Sequence, residues 1–125
     1  MDMVKKESLT NDLKNILIAP ETAVTLPAII GGTAGTTIKA GTPLSGNLAD
    51  RDTAFTKEVT STTSNANAVL LHDVVLGADE TEVNGTIILT GTVDLLKLDS
   101  TVSAMITSQV KTALDGKIYF VKGAK

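Results

Sequence analysis

His72 is the only histidine in this chain of 125 residues, and it is the side chain best suited to proton transfer at neutral pH. It lies inside the apolar segment AVLLHDVVL, residues 68–76, which predicts a strand. Alternation along a strand places Asp73 on the opposite face, so this neighbour cannot orient the imidazole. One imidazole and no cysteine do not supply a zinc ligand set. We therefore interpret His72 as a structural or interface residue.

Two acidic clusters could supply the oxygen ligands that calcium requires. The first is formed by Asp50 and Asp52, and the second by Asp79, Glu80 and Glu82. Neither cluster has the spacing of an EF-hand loop, and both lie in segments that resemble turns. We interpret these carboxylates as solvated turn residues.

The glycine-rich segment GGTAG, residues 31–35, resembles a phosphate-binding loop only in composition. It lacks the Lys-Ser/Thr ending of a P-loop and the strand-to-helix context of a dinucleotide fingerprint, so we interpret it as a flexible turn. No other motif favours catalysis. We predict that the chain is not an enzyme and uses no cofactor or metal, with a small hydrolase or lyase built on a β-scaffold as the least favoured alternative.

Composition restricts the classes of partner. The net charge is −3, the sequence pI is about 5.0, and the basic residues are scattered, which argues against direct nucleic-acid binding. The absence of cysteine suits assembly in a reducing cytosol. No apolar run approaches the ~18 residues of a membrane span, and the N-terminus has no uninterrupted apolar segment of a signal peptide.

The N-terminal segment carries an apolar stripe with the period of a helix. Its members are Leu9, Leu13, Ile16 and Leu17, and Pro20 ends the pattern. A helix of about ten residues is marginal alone, so it either folds onto its own domain or orders on a partner. We predict the second, which divides the chain into an arm, residues 1–20, and a β-rich domain, residues 21–125.

The first strand candidate is the apolar run from Val24 to Ile30. Pro27 restricts this run to a sheet edge or a loop. The run is more apolar than an exposed edge should be, which predicts an oligomer interface. The interface residues that we expect are Val24, Leu26, Ile29 and Ile30.

Stronger periodicities follow in the second half of the chain. Residues 82–98 alternate as one long bent strand or two successive strands, with Gly85 and Gly91 as bulge or kink positions. A core-facing helix is predicted by the spacing of Val102, Met105, Ile106, Val110, Ala113 and Leu114. Asp99 or Ser100 can cap its start, and a last strand covers residues 117–121. The predicted fold is mainly β (α+β): a small β-sandwich or barrel-like domain with one packed C-terminal helix and a short N-terminal helical arm.

Three ordered segments resemble those of tailed-bacteriophage capsid decoration proteins. They are IKAGTPL at residues 38–44, AVLLHDV at residues 68–74 and GTIILTGTV at residues 85–93. The ending VKTALDGKIYFVK, residues 110–122, is similar to the globular base of phage head-fibre proteins. The resemblance covers roughly residues 24–122.

The resemblance implies a structural virion protein on the outer capsid surface, made in the host cytoplasm. Such a protein forms a homotrimer that binds the major capsid protein lattice after expansion and stabilises it. We expect the stripe of Leu9, Leu13, Ile16 and Leu17 to contact the capsid. The alternative is a receptor- or carbohydrate-binding module of a phage fibre or tail, which would use exposed Thr/Ser/Asn loops such as residues 60–67.

Overall fold

A computed structural model describes residues 16–58 and 64–122 of the chain. It is mainly β, with 39% strand and 16% helix, which confirms the predicted fold class. The strands in chain order are β1 (Leu17–Ile18), β2 (Val24–Gly31), β3 (Thr37–Ile38), β4 (Pro43–Ser45), β5 (Thr56–Lys57), β6 (Ala68–Leu70), β7 (Val74–Val75), β8 (Glu82–Asp94) and β9 (Ile118–Val121). The helices are α1 (Ser100–Ser103) and α2 (Ser108–Ala113), and single 3₁₀ turns cover Pro20–Thr22 and Leu95–Lys97.

The long strand β8 organises the whole structure. Its first half pairs antiparallel with β2 on one side and with β6 on the other, so that Ile87 lies opposite both Leu26 and Leu70. Its second half pairs antiparallel with β1 and parallel with β9, where Val93 lies opposite Leu17 and Phe120. The segment predicted over residues 82–98 as one bent strand or two forms one continuous strand of 13 residues up to Asp94, and Leu95–Lys97 form a 3₁₀ turn instead.

The first half of the sheet closes into a small barrel. Pairing runs from β2 through β8, β6 and β4 to β5. Phe55, which lies directly before β5, forms an isolated bridge with Ile30 of β2. Its N–H donates to the Ile29 carbonyl at 2.8 Å, and its carbonyl accepts from the Gly31 N–H at 2.9 Å. These two bonds satisfy the edge of β2 at its C-terminal end, where an open sheet would leave donors and acceptors unpaired.

Aliphatic side chains fill the barrel around one aromatic ring. Phe55 is completely buried, and Gly46 lies against its ring. Only glycine fits at this position, because a Cβ would stand 2.6 Å from the ring. The buried members of this first core are Ala28, Ile30, Leu44, Phe55, Ala68, Leu70, Val74 and Ile87.

A second core lies on the other side of β6 and β8, where the helices cover the sheet. Alternation sends Leu70 and Ile87 into the barrel, while Val69 and Ile88 point into this second core. Its buried members are Ile16, Leu17, Ala66, Val69, Ile88, Val93, Ile106, Val110, Leu114 and Ile118.

The predicted C-terminal helix is two short helices rather than one. Asp99 caps α1 by accepting from the Thr101 N–H at 3.0 Å, as expected for one of the two predicted caps. Thr107 starts a second helix because its hydroxyl accepts from the Val110 N–H at 3.3 Å, offering the backbone an alternative to helix continuation. Val102, Ile106, Val110 and Leu114 are nevertheless buried as predicted, whereas Met105 and Ala113 are half-buried.

Ile16 and Leu17 correct the prediction of an N-terminal arm. They are 1% and 6% exposed in the second core, Leu17 lies in strand β1 rather than in a helix, and the Ile16 carbonyl accepts from the Asp94 N–H at 2.8 Å. Pairing with β8 overrides the local helical period, so these two residues are not capsid contacts. The folded sheet begins before the predicted boundary at residue 20. Leu9 and Leu13 lie outside the described residues.

The predicted interface on β2 is wrong for Ile30. Its side chain is fully buried in the barrel, so it cannot contact a second subunit. Val24 is 49% exposed, and Leu26 and Ile29 are half-buried. The placement of Pro27 at a sheet edge is confirmed, since its carbonyl faces away from β8 and accepts from the Arg51 guanidinium at 2.8 Å.

Candidate functional site

A groove runs along the outer side of β2 and the start of β8. Two adjoining cavities of about 510 and 360 Å³ form it, and they share Ile29 and Asn84. Three separate segments of the chain line the groove, at residues 27–29, 48–52 and 80–84. Its position follows from the fold, because in the described part of the chain β2 pairs only with β8, apart from the bridge between Ile30 and Phe55.

The groove has an apolar floor and an acidic rim. Ile29 is half-buried and Leu48 is 39% exposed, so both present apolar surface to a binding partner. Four carboxylates stand around them, those of Asp50, Asp52, Glu80 and Glu82. Arg51 is the one basic residue among the lining residues, and its guanidinium is hydrogen-bonded to the Pro27 carbonyl. The rim therefore favours a basic partner.

Two of these acids also stabilise turns, as the sequence predicts. Asp50 accepts from the Asp52 N–H at 3.3 Å and from the Thr53 hydroxyl at 3.2 Å. Glu80 accepts from the Gly77 N–H at 2.8 Å. Among the residues that the structure describes, no three His, Cys, Asp or Glu side chains come together as a metal site would require.

His72 lies in a bend between β6 and β7, so the strand predicted over residues 68–76 is interrupted there. The Asp73 carboxylate accepts from the Ala40 N–H at 2.7 Å and joins this bend to the turn before β4. The His72 Nδ1 atom is buried and has no hydrogen-bond partner among the residues that the structure describes. Asp73 is thus engaged with the backbone and does not orient the imidazole.

The glycine-rich segment after β2 does not form a phosphate cradle. The Gly31 N–H donates to the Phe55 carbonyl, the Gly32 N–H donates to Thr81 at 2.9 Å, and the Gly35 N–H donates to Gly77 at 2.8 Å. A phosphate needs such amides free and convergent. Gly35 has a φ of +79°, which is consistent with the predicted turn.

A second exposed surface lies at the other end of β8. Within residues 16–58 and 64–122, the three-stranded sheet β1-β8-β9 packs one face onto the second core, and its other face is only partly covered. Tyr119 and Val121 alternate with Ile118 and Phe120 and are 54% and 38% exposed on this other face. Ile18 belongs to the same face because it is opposite Thr92, the residue that also pairs with Tyr119. We call this surface the β9 face.

No family model and no curated protein matches this sequence. In the portion of the chain that the structure covers, no helix is both long enough and apolar enough to cross a bilayer.

The structure separates the residues that the sequence grouped together. Of the predicted interface residues, Ile29 lies in the groove, whereas Ile30 points into the barrel. No sequence pattern indicates the groove, because its walls come from segments that are distant along the chain. The β9 face had a weak signal: KIYFVK places four consecutive apolar side chains between two lysines and contains the single tyrosine of the chain.

Proposed function

We propose that this protein decorates the mature capsid of a tailed bacteriophage. In this role it is a structural virion protein that binds the outer surface of the major capsid protein lattice as a homotrimer and stabilises it. The supporting observation is that the three segments on which the family resemblance rests pack together in one place. They are residues 38–44, 68–74 and 85–93.

These segments form a continuous ladder in spite of their separation along the chain. The first pairs with the second through β4 and β6, where Leu44 lies opposite Ala68. The second pairs with the third through β6 and β8, where Leu70 lies opposite Ile87. The resemblance therefore concerns one structural unit, the centre of the barrel, and not three unrelated short strands.

The stabilising effect of such a module follows from linkage. A protein that bridges neighbouring subunits only in the expanded lattice shifts the equilibrium toward that lattice. At a free concentration 100 times its Kd, each occupied site adds about 2.7 kcal/mol. The chain needs no catalytic residue for this activity.

Binding to capsids prepared without the protein tests the proposal. Expanded and unexpanded particles of its own phage are mixed with the purified chain, and co-sedimentation is followed by electron cryomicroscopy. We expect a regular lattice of added density on expanded particles only, together with a higher temperature of particle disruption. Absence of binding to expanded particles would refute the proposal. Density confined to one vertex or to the tail would favour a receptor- or carbohydrate-binding module instead.

Leu9 and Leu13 stay candidate capsid contacts and can be tested in the same assay. Replacing both by serine should weaken binding to expanded particles at least tenfold, equivalent to about 1.4 kcal/mol. Replacing the neighbouring Thr10 and Asn11 by alanine is the matched control, and it should leave binding unchanged. Equal binding by both double variants would assign attachment to the β-domain.

A further inference from the structure

The acidic groove and the β9 face lie at opposite ends of the same strand. Glu82 and Asn84 at the start of β8 line the groove, whereas Asp94 at its end pairs with Val121 of β9. A strand of 13 residues at about 3.3 Å per residue separates its ends by up to about 40 Å. The two surfaces of one molecule therefore do not meet, but those of two molecules can.

The two surfaces carry opposite charge. The groove has the carboxylates of Asp52 and Glu82 on its rim, besides the two that also stabilise turns. The β9 face is flanked by Lys117 before the strand and Lys122 after it, and both side chains are exposed. This arrangement steers copies of the chain toward a head-to-tail encounter.

Both surfaces also present apolar side chains that a contact between them could bury. Tyr119 lies on the β9 face and is 54% exposed. Tyrosine is among the residues that most often anchor interfaces. The groove offers Ile29 and Leu48 as an apolar floor for such an anchor.

We propose that the β9 face of one copy docks into the acidic groove of a second copy. The contact is heterologous, since each copy contributes a different surface, and repetition of one such contact closes a ring when the rotation permits. This inference names the surfaces used by the homotrimer and to that extent rests on the proposed function. It is nevertheless tested on the free protein, without capsids.

The test exchanges charges between the two surfaces. One variant carries Lys117→Glu and Lys122→Glu, and the other carries Asp52→Lys and Glu82→Lys, which leaves the turn-forming Asp50 and Glu80 intact. Matched controls with the same change in net charge are Lys57→Glu with Lys111→Glu, and Glu21→Lys with Asp115→Lys, all at exposed positions. Circular dichroism checks that each protein is folded, and sedimentation velocity measures self-association.

We expect the wild-type chain to associate in a concentration-dependent manner, more weakly in 0.5 M than in 0.05 M NaCl because the charges are solvent-exposed. Each exchanged variant alone should associate at least tenfold more weakly, and both controls should match the wild type. Mixing the two exchanged variants should restore association between unlike copies, because the reversed face of one fits the reversed groove of the other. A ring of three would keep one contact between like variants, so the mixture should recover dimers rather than closed trimers. Tyr119→Ser should also weaken association without loss of folding.

Several results would overturn this inference. One is a wild-type chain that stays monomeric at the highest soluble concentration, which would assign the groove to a basic segment of another protein. Others are association that the exchanged variants do not affect, controls that lose association equally, or a mixture that fails to recover it. Each of these is distinct from a failure of capsid binding, which is measured on particles.

Discussion

Replacing Ile16 by alanine tests whether the segment before β1 is part of the folded core. The side chain is 1% exposed in the second core, and its backbone carbonyl accepts from Asp94. Alanine keeps this hydrogen bond and removes three carbon atoms, so the loss reports packing alone. At about 0.8 kcal/mol per buried methylene plus a cavity term, we expect the free energy of unfolding to fall by about 3 kcal/mol.

Urea titration followed by far-UV circular dichroism measures this loss. With a slope of about 1–3 kcal/mol per molar urea, the midpoint should fall by about 1–3 M while the slope stays unchanged. Ile18→Ala is the matched control, because it deletes the same atoms from a half-exposed position on the β9 face. We expect it to cost less than half as much.

Two outcomes would refute this reasoning. A change below about 0.5 kcal/mol for Ile16→Ala, the size typical of exposed sites, would show that the side chain does not pack in the core. Equal losses for Ile16→Ala and Ile18→Ala would show that burial does not distinguish the two positions. Deleting residues 1–19 removes Ile16, Leu17 and the pairing of β1 together, so that chain should fail to fold stably.

Three further substitutions, two of them paired with a comparison variant, test the barrel, one turn and the helical layer by the same titration. Phe55→Ala should lower the free energy of unfolding by about 3–5 kcal/mol because it empties the centre of the barrel. Phe120 is half-buried, so Phe120→Ala should cost less. Equal losses would contradict the central role of the Phe55 ring. Gly41→Ala combines a φ of +94° with a close approach to the half-buried Leu98 side chain, so it should cost more than Gly35→Ala. Gly35 has a φ of +79° and no neighbour within 4 Å of an added Cβ, so its substitution should cost only the backbone strain, about 1–3 kcal/mol. Ile106→Ala should cost about 2–5 kcal/mol, and a near-zero change would show that the helices do not pack on the sheet.

Local periodicity predicted the elements whose apolar side chains follow a regular spacing along the chain. The strand around Pro27, the long strand β8 and the buried positions Val102, Ile106 and Val110 follow directly from spacing and residue type. The break within the predicted helix was missed because the Thr107 hydroxyl competes with the backbone ladder, an effect that apolar spacing does not report.

Contacts between distant segments were beyond the reach of that reasoning. Closure of the barrel depends on the bridge between Phe55 and Ile30. Strand β9 pairs parallel with β8, although both helices lie between these strands along the chain. Ile16 and Leu17 fit a helical stripe locally, yet a strand partner was available and determined their conformation. The groove could not be predicted for the same reason, since its three wall segments become neighbours only after folding.

The back-to-back arrangement of Ile87 and Ile88 has a consequence for how the molecule opens. Each of these residues faces a different core, yet they are consecutive on one strand and both lie between β2 and β6. Separating either core from this strand exposes the ladder that supports the other, so the two halves cannot melt in separate steps. Amide protons at the centre of β8 should therefore exchange with solvent deuterium only through global unfolding, at the slowest rate in the protein.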